Sequence, residues 1–175
     1  YTEFVEIELA EPMEVEKAAL ALDAALPRGI RVLAADAVDT HHAALMSQAA
    51  GASYRVTLPY SKDVSAAVAE FNAAPELLFK KAAPKTKAKF KEIDVKFYIP
   101  QLTAEQTEKE TIFSFDCKIT PTGSMKAVDL LNALNEQYGL ALPVEMADIE
   151  RLRLYRNNKN GKPIPMLNSD AVTLG

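Results

Sequence analysis

The residues whose types and spacing best suit a chemical role are the lysines of one short stretch. Six lysines and no acidic residue lie between Lys80 and Lys91, and four of the lysines alternate along the chain. Ammonium groups at every second position of a strand lie about 7 Å apart, which suits contacts along a nucleic acid backbone. Phe90, within the same stretch, could stack on a base. The pattern predicts either an anion- or nucleic-acid-binding surface or an edge strand that lysines protect from aggregation.

The alternating lysines share their odd register with the apolar residues that follow. Ile93, Val95 and Phe97 continue the alternation, so one unbroken strand would turn lysines and core residues to the same face. Either a bulge intervenes, or the strand runs beyond the core and its lysines meet solvent or a ligand. Asp94 falls on the opposite face and is expected to pair with Lys96 or with a ligand cation. An ordinary surface ion pair accounts for it equally well.

A second basic cluster, residues 151–162, holds three arginines and two lysines. Together with residues 80–91 it suggests RNA binding, while a solvated strand face gives the same charge pattern. The candidate binding residues are Lys85, Lys87, Lys89, Lys91, Asp94, Arg153 and Arg156.

Other kinds of site lack their usual residue patterns. All six glycines are isolated, whereas dinucleotide and phosphate loops need clustered glycines. His41, His42 and Cys117 are too few for zinc, and we expect histidines at a helix start and a core cysteine. Ser124 is expected to cap a helix, without the flanking glycines of a nucleophile elbow. We therefore expect no catalytic site, no metal and no cofactor in this chain alone.

The element order predicts an α+β fold. Residues 54–60 alternate as a strand, residues 64–71 carry a helical stripe, and residues 93–99 and 113–119 alternate again. A helix over residues 128–138, ended by Gly139, and a short strand over residues 151–156 complete a ferredoxin-like βαββαβ order. That order predicts an antiparallel sheet with its helices on one face.

The remaining segments flank this unit. Residues 5–9 alternate as a strand, residues 15–26 carry a helical stripe, and residues 30–38 indicate a second strand, a βαβ half of another such unit. Residues 41–50 are expected to be helical, and residues 101–110 to form a polar connection. The predicted domains are 1–51 (βαβ segment), 52–156 (ferredoxin-like domain) and 157–175 (irregular tail).

Composition restricts the protein class. At 175 residues, 49% of them hydrophobic and 25% charged, the chain is expected to be globular. No apolar run approaches the roughly 20 residues that span a bilayer, and no signal peptide precedes the first strand. The single cysteine, Cys117, favours a reducing cytoplasm.

Three stretches resemble a family of radical-SAM-linked proteins, which are fused to, or encoded beside, radical S-adenosylmethionine enzymes. They are Tyr1 to Pro12, Tyr54-Arg55-Val56-Thr57-Leu58, and Lys85-Thr86-Lys87 through Lys91-Glu92-Ile93-Asp94. The resemblance implies an upstream segment in the family, and hence a C-terminal fragment here. This chain has Ala88-Lys89-Phe90 where the family's basic motif continues into a glycine.

Three functional hypotheses follow. The first is a non-catalytic accessory or substrate-binding module that works with a radical SAM enzyme. The second is an RNA-binding module that uses the basic strand of residues 80–91. The third is an enzyme whose site is completed by a missing N-terminal segment, although for this chain alone we favour a protein without catalytic activity. The sequence does not predict an oligomeric state.

Overall fold

The computed structural model describes residues 3–39, 41–60, 62–82 and 89–174, with Ala82 described by its backbone alone. Within these ranges the α-helices are α1 Val15–Ala25, α2 Ser65–Ala73, α3 Val95–Tyr98 and α4 Ala127–Tyr138. The strands are β1 Ala34–Ala35, β2 Ala49–Pro59, β3 Leu78–Ala82, β4 Phe90–Asp94, β5 Leu102–Gln106, β6 Glu110–Thr120, β7 Gly123–Ser124, β8 Asp148–Asn157, β9 Pro163–Pro165 and β10 Val172–Thr173. Short 3₁₀ helices occupy Leu45–Gln48 and Val144–Met146.

The chain divides into two compact units. In its described part, unit 1 holds residues 49–155, and unit 2 holds residues 3–48 and 156–174. Unit 1 contains the sheet of β5, β6, β2 and β8, in that order, and the separate antiparallel pair of β3 and β4. In unit 2, β1 pairs antiparallel with β10 and contacts α1.

The core of unit 1 lies on one face of its sheet. β6 runs antiparallel to both β2 and β5, and the register sets Val56 opposite Phe113. Both residues are fully buried, whereas Arg55, the neighbour of Val56 along β2, is exposed. The buried residues of α2 and α4 join the same apolar cluster, including Phe71 and Leu130. This burial pattern agrees with the predicted placement of the helices on one face.

The ends of α4 explain why the helix occupies this stretch. Asp129, in its first turn, accepts a hydrogen bond from the backbone N–H of Lys126 at 3.4 Å, which satisfies one of the free donors there. Gly139 follows the last turn with φ 58°, and its N–H donates to the carbonyl of Asn135. The predicted glycine cap at residue 139 is confirmed, because glycine adopts this left-handed conformation without steric cost.

The strand predicted over residues 93–99 is wrong in its second half. β4 ends at Asp94, and α3 begins at Val95. Val95, Tyr98 and Ile99 are buried at helical spacing, while Phe97 is 52% exposed. The predicted second strand of the βαββ run is therefore represented only by the end of β4, which pairs with β3 outside the main sheet. Its place in the sheet is taken by β5, within the stretch that was predicted to be a polar connection.

Among the elements predicted for the first 51 residues, the helix over residues 15–26 is confirmed by α1, and the strand over residues 30–38 is reduced to β1, whereas the strand over residues 5–9 and the helix over residues 41–50 are wrong. Among residues 3–39 only α1 and the two-residue β1 are regular, and no strand forms over residues 5–9. Val5 is 72% exposed, so the alternating apolar side chains do not cover a core here. Alternation of this kind leads to a strand only where a neighbouring strand pairs with it. Residues 41–50 form one 3₁₀ turn and the start of β2 instead of a helix. The tail, predicted to be irregular, contains β9 and β10.

The predicted α+β class with antiparallel sheets is confirmed. The finer ferredoxin-like assignment and the three domain boundaries stay predictions. Within residues 3–39, 41–60, 62–82 and 89–174, no helix is long and apolar enough to cross a membrane.

Candidate binding site

The lysine-rich stretch forms part of an antiparallel pair, here called the basic hairpin (residues 78–82 and 89–94). Its register runs without interruption from Leu78 opposite Asp94 to Ala82 opposite Phe90. Phe79 and Ile93 are paired and buried, so one face of the hairpin packs on the core of unit 1. The hairpin is thereby fixed to the rest of the unit.

The lysines extend along the hairpin past this buried pair. Lys91 lies opposite Lys81 and on the same side as Ile93, and it is exposed. The strand therefore runs beyond the core, which was one of the two predicted alternatives, and the described part of β4 contains no bulge. Lys89 precedes β4 in a left-handed conformation, with φ 57°, and is also exposed. Lys85 and Lys87 lie outside the described residues.

The face opposite the buried pair carries an aromatic ring. Phe90 lies on that face and is 60% exposed, whereas Lys91, its neighbour along β4, lies on the face of Ile93. Glu92, on the same face, is opposite Lys80 in the register, so it offsets part of the positive charge. An exposed ring on a hairpin with several exposed lysines offers a single-stranded nucleic acid one stacking surface and several ammonium groups for its backbone.

A groove of about 580 Å³, here called the hairpin groove, lies between the basic hairpin and α4. It is lined by Phe79, Lys80, Lys81, Phe90, Asp129, Asn132, Asn135 and Glu136. At one side of it the ammonium of Lys81 donates to the carboxylate of Asp129 at 2.6 Å. Because Asp129 also caps α4, this ion pair joins the hairpin to the first turn of the helix.

Two polar side chains of α4 present uncommitted groups to the groove. Asn132 and Glu136 are exposed and lie one helical turn apart. Neither side chain hydrogen bonds to any residue that the structure describes. Asn135, between them, is committed instead: its amide accepts from Leu142 N–H at 2.7 Å and donates to Leu142 C=O at 3.0 Å.

Asp94 serves as a cap. Its carboxylate accepts from the backbone N–H of Lys96 at 3.0 Å and of Leu77 at 3.1 Å, and it stands at the N-cap of α3. The ammonium of Lys96 points elsewhere, donating to the carbonyl of Pro100 at 2.5 Å and lying 4.4 Å from the centre of the Phe71 ring. Burial lowers the pKa of Lys96, against the opposing charge of Asp94. Ligand binding by Asp94 stays a prediction.

The two candidate arginines lie on β8, in a different sheet from the basic hairpin. Arg153 is exposed and lies 5.3 Å from the centre of the Tyr155 ring. Arg156, in unit 2, donates to the carbonyl of Pro165 at 3.1 Å and to the amide oxygen of Asn168 at 2.7 Å. Arg156 thus holds the tail of its own unit, and binding by either arginine stays a prediction.

A second groove, of about 460 Å³, is lined by residues of the sheet and of the connection before β5. It is lined by Ser53, Tyr54, Pro100, Gln101, Thr103, Ser114, Phe115, Asp116 and Leu152. The hydroxyl of Ser53, one of the polar groups of this groove, donates a hydrogen bond to the carboxylate of Asp116 at 2.5 Å. None of its lining residues is a lysine or an arginine, so it is less suited to an anion than the hairpin groove.

The histidines and the cysteine occupy separate surroundings. Within the described ranges, no group of three or more His, Cys, Asp or Glu residues could hold a metal ion. Cys117 is buried, donates to the carbonyl of Met125 at 3.4 Å, and has its pKa raised by burial. His42 lies 2.7 Å from a carboxylate oxygen of Glu6, and it stands in a turn instead of at a helix start.

The sequence analysis missed the side of the groove that α4 supplies. Asp129, Asn132 and Glu136 repeat at helical spacing and form the polar face of an amphipathic helix. That pattern marks a face turned away from the core, but it does not show which other element lies beside it.

Comparison with models of known protein families identifies the family of this chain. The model of a family described as "Uncharacterized protein conserved in bacteria (DUF2344)" matches residues 1–130. No curated protein and no solved structure matches the chain.

Proposed function

We propose that this chain, which belongs to the bacterial family matched by residues 1–130, is a non-catalytic binding module that holds single-stranded RNA on its basic hairpin. The observation that carries the proposal is the exposed Phe90 ring on the same hairpin as the exposed Lys80, Lys89 and Lys91, at a groove that Lys80 and Lys81 also line.

The chemistry of the hairpin supports RNA as the ligand. Stacking on an exposed aromatic ring contributes about 1–3 kcal/mol of binding free energy per base, whichever base it is. Lysines beside such a ring neutralise backbone phosphates and release counterions. Lys81 is paired with Asp129, so Lys80, Lys89 and Lys91 are the described lysines that remain for phosphates. Lys85 and Lys87 lie between them in the sequence.

The sheet of unit 1 supports the ferredoxin-like interpretation. In the chain, α2 lies between β2 and β5, and α4 lies between β6 and β8, while the spatial strand order is β5-β6-β2-β8. The pair of β3 and β4 is then an insertion between α2 and β5, and the basic hairpin is this insertion. The single cysteine, Cys117, supports a reducing compartment such as the cytoplasm.

The test is the salt dependence of binding to a short uridine oligonucleotide, measured by fluorescence anisotropy. With four to six lysine–phosphate contacts, log affinity is expected to fall against log salt with a slope of about −3 to −4. The triple variant Lys80→Gln, Lys89→Gln and Lys91→Gln should flatten the slope by about 2.

The matched control changes the same charge elsewhere. Lys17, Lys109 and Lys118 are exposed and lie outside both basic stretches, so their triple Gln variant should keep both the affinity and the slope. A flat salt response of the unaltered protein, or equal losses in the two triple variants, would contradict the proposal.

A second proposal is an accessory role beside a radical SAM enzyme. The three sequence stretches that resemble radical-SAM-linked proteins favour it, and they fall within residues 1–130. In this role the enzyme performs the reaction, and the present chain binds the substrate or docks on the enzyme.

The test is a pull-down with this chain as bait and a radical SAM enzyme from the same bacterium as prey, with and without RNA. Retention that the Lys80, Lys89 and Lys91 triple variant abolishes only in the presence of RNA indicates substrate presentation. Retention that it leaves unchanged indicates direct docking, and no retention under either condition contradicts the accessory role.

A further inference from the structure

We propose that the hairpin groove recognises a guanine base of single-stranded RNA, with Asn132 and Glu136 reading its Watson–Crick edge and Phe90 stacking on its ring. The inference rests on the proposed function and adds a base preference to it. It starts from the two side chains of α4 that have exposed, uncommitted polar groups in the groove.

The spacing of the two side chains suits one base edge. Asn132 and Glu136 are separated by four residues of α4, so they lie side by side along the helix, with Cβ atoms about 6 Å apart. The amide of Asn132 donates or accepts hydrogen bonds, and the carboxylate of Glu136 accepts two. Across the groove, the basic hairpin contributes Phe90, Lys80 and Lys81 to the lining.

Guanine is the base whose edge complements this pair. Its Watson–Crick edge presents the acceptor O6 and then two adjacent donors, N1–H and N2–H₂. A carboxylate accepts from both donors together, and an amide N–H donates to O6. Adenine and cytosine set a single donor beside an acceptor, and uracil sets acceptors on both sides of its donor. A carboxylate facing those acceptors is repelled, so the groove discriminates against these bases.

Glu136 is the carboxylate of the hairpin groove that is available to accept from guanine, because the neighbouring polar side chains already have partners. Asp129, the other carboxylate of the groove, already binds Lys81 at 2.6 Å and caps α4. Asn135 is likewise bound to both backbone groups of Leu142. Asn132 and Glu136 can therefore meet a base without breaking a contact that the described fold uses.

The experiment compares uridine oligonucleotides that carry one central guanosine, inosine, adenosine or cytidine. Inosine keeps O6 and N1–H but lacks the N2 amino group, so it removes one of the two donors to Glu136. The unaltered protein is expected to bind the guanosine oligonucleotide about tenfold more tightly than each of the other three. Glu136→Gln should reduce the guanosine-to-inosine ratio to about one, because the amide presents a donor where the carboxylate accepts.

The ratio is the readout because removing one acidic group also strengthens binding to all RNA. Glu108→Gln makes the same charge change at an exposed residue outside the groove, and it should keep the tenfold ratio. Asn132→Ala should weaken the guanosine and inosine oligonucleotides equally, about fivefold, since both retain O6.

The outcomes separate this inference from the proposed function. RNA binding with equal affinity for the four oligonucleotides overturns guanine recognition and leaves the RNA-binding module standing. A guanosine preference that Glu136→Gln retains overturns the assignment of Glu136. Absence of binding to every oligonucleotide overturns both proposals.

Discussion

The polar side chains around the core of unit 1 and those of the hairpin groove differ in what they bind. Around the core, Asn72 accepts from Leu102 N–H at 2.9 Å and donates to Leu102 C=O at 2.8 Å. Asn135 binds Leu142 in the same way, and Gln106 joins β5 to the segment before α2. In the groove, Asn132 and Glu136 have no partner among the described residues.

The difference separates residues that hold the fold from residues that are free to bind. A side-chain amide that pairs with a buried N–H and a buried C=O supplies the hydrogen bonds that a neighbouring strand would otherwise make. Loss of the amide leaves both backbone groups unpaired. An exposed amide or carboxylate without a partner contributes little to stability. We therefore expect stability and RNA affinity to depend on different residues, even where these are neighbours on one helix.

The largest effect that tests this separation is expected for the two asparagines of α4. Asn135→Ala should lower the free energy of unfolding by about 2 kcal/mol, because Leu142 is buried and loses partners for its N–H and C=O. Asn132→Ala should change it by less than about 0.5 kcal/mol. Urea denaturation of both variants measures the contrast, and equal destabilisation would remove the distinction.

The next effect concerns the exposed aromatic ring. Phe90→Ala should weaken binding to a short uridine oligonucleotide about tenfold, through the loss of one stacking contact, while the unfolding midpoint stays nearly unchanged. Phe97→Ala is the control, because Phe97 is 52% exposed but lies outside the hairpin groove. A comparable loss of RNA affinity in Phe97→Ala would show that the ring of Phe90 has no special position.

A smaller effect is expected at two acids of β4. Asp94→Ala should cost about 1 kcal/mol of stability, because the carboxylate caps α3 and accepts from two backbone N–H groups. Glu92→Ala, at an exposed residue of the same strand, should be nearly neutral in stability. Thermal denaturation distinguishes the two, and stronger RNA binding by Glu92→Ala alone would further support the hairpin as the binding surface.

The smallest effect is a pH dependence in unit 2. Hydrogen bonds from Arg31 and from the N–H of Val32 hold the pKa of Asp23 below its ordinary value. A carboxyl group whose pKa is lowered by folding stabilises the protein above its unfolded pKa and loses that contribution as the pH falls through its folded pKa. Asp23→Asn should therefore be less stable than the unaltered protein at neutral pH, and the gap should close in strong acid. A gap that is constant from neutral pH to strong acid would contradict this account.

Much of the fold follows from residue periodicity. The apolar alternation of β2 and β6 and the stripes of α2 and α4 mark their elements, because each period matches one local geometry. Residues 93–99 carry both periods: Ile93, Val95 and Phe97 alternate, whereas Val95, Tyr98 and Ile99 repeat as in a helix. The structure forms the helix, and Asp94 caps it by accepting from the N–H of Lys96. Asp94 also accepts from the N–H of Leu77, which is distant in sequence, so local periodicity does not reveal this contact.

The hairpin groove could be predicted only in part. The lysines and Phe90 stand out in composition, and the polar face of α4 stands out in periodicity. Their contact across the groove depends on the tertiary packing of β3 and β4 against unit 1, which no local pattern specifies. The strand prediction over residues 5–9 is wrong for the same reason, because apolar alternation does not show whether a neighbouring strand exists.

The most direct test of the account is a ¹H–¹⁵N NMR titration of the protein with a single-stranded oligonucleotide that contains one guanosine. We predict that the shifted amide signals map to Lys80, Lys81, Lys89, Phe90 and Lys91 on the hairpin and to the Asn132–Glu136 face of α4. Shifts confined to the sheet groove, at Ser53, Ser114 and Asp116, would contradict the central claim that RNA binds to the basic hairpin.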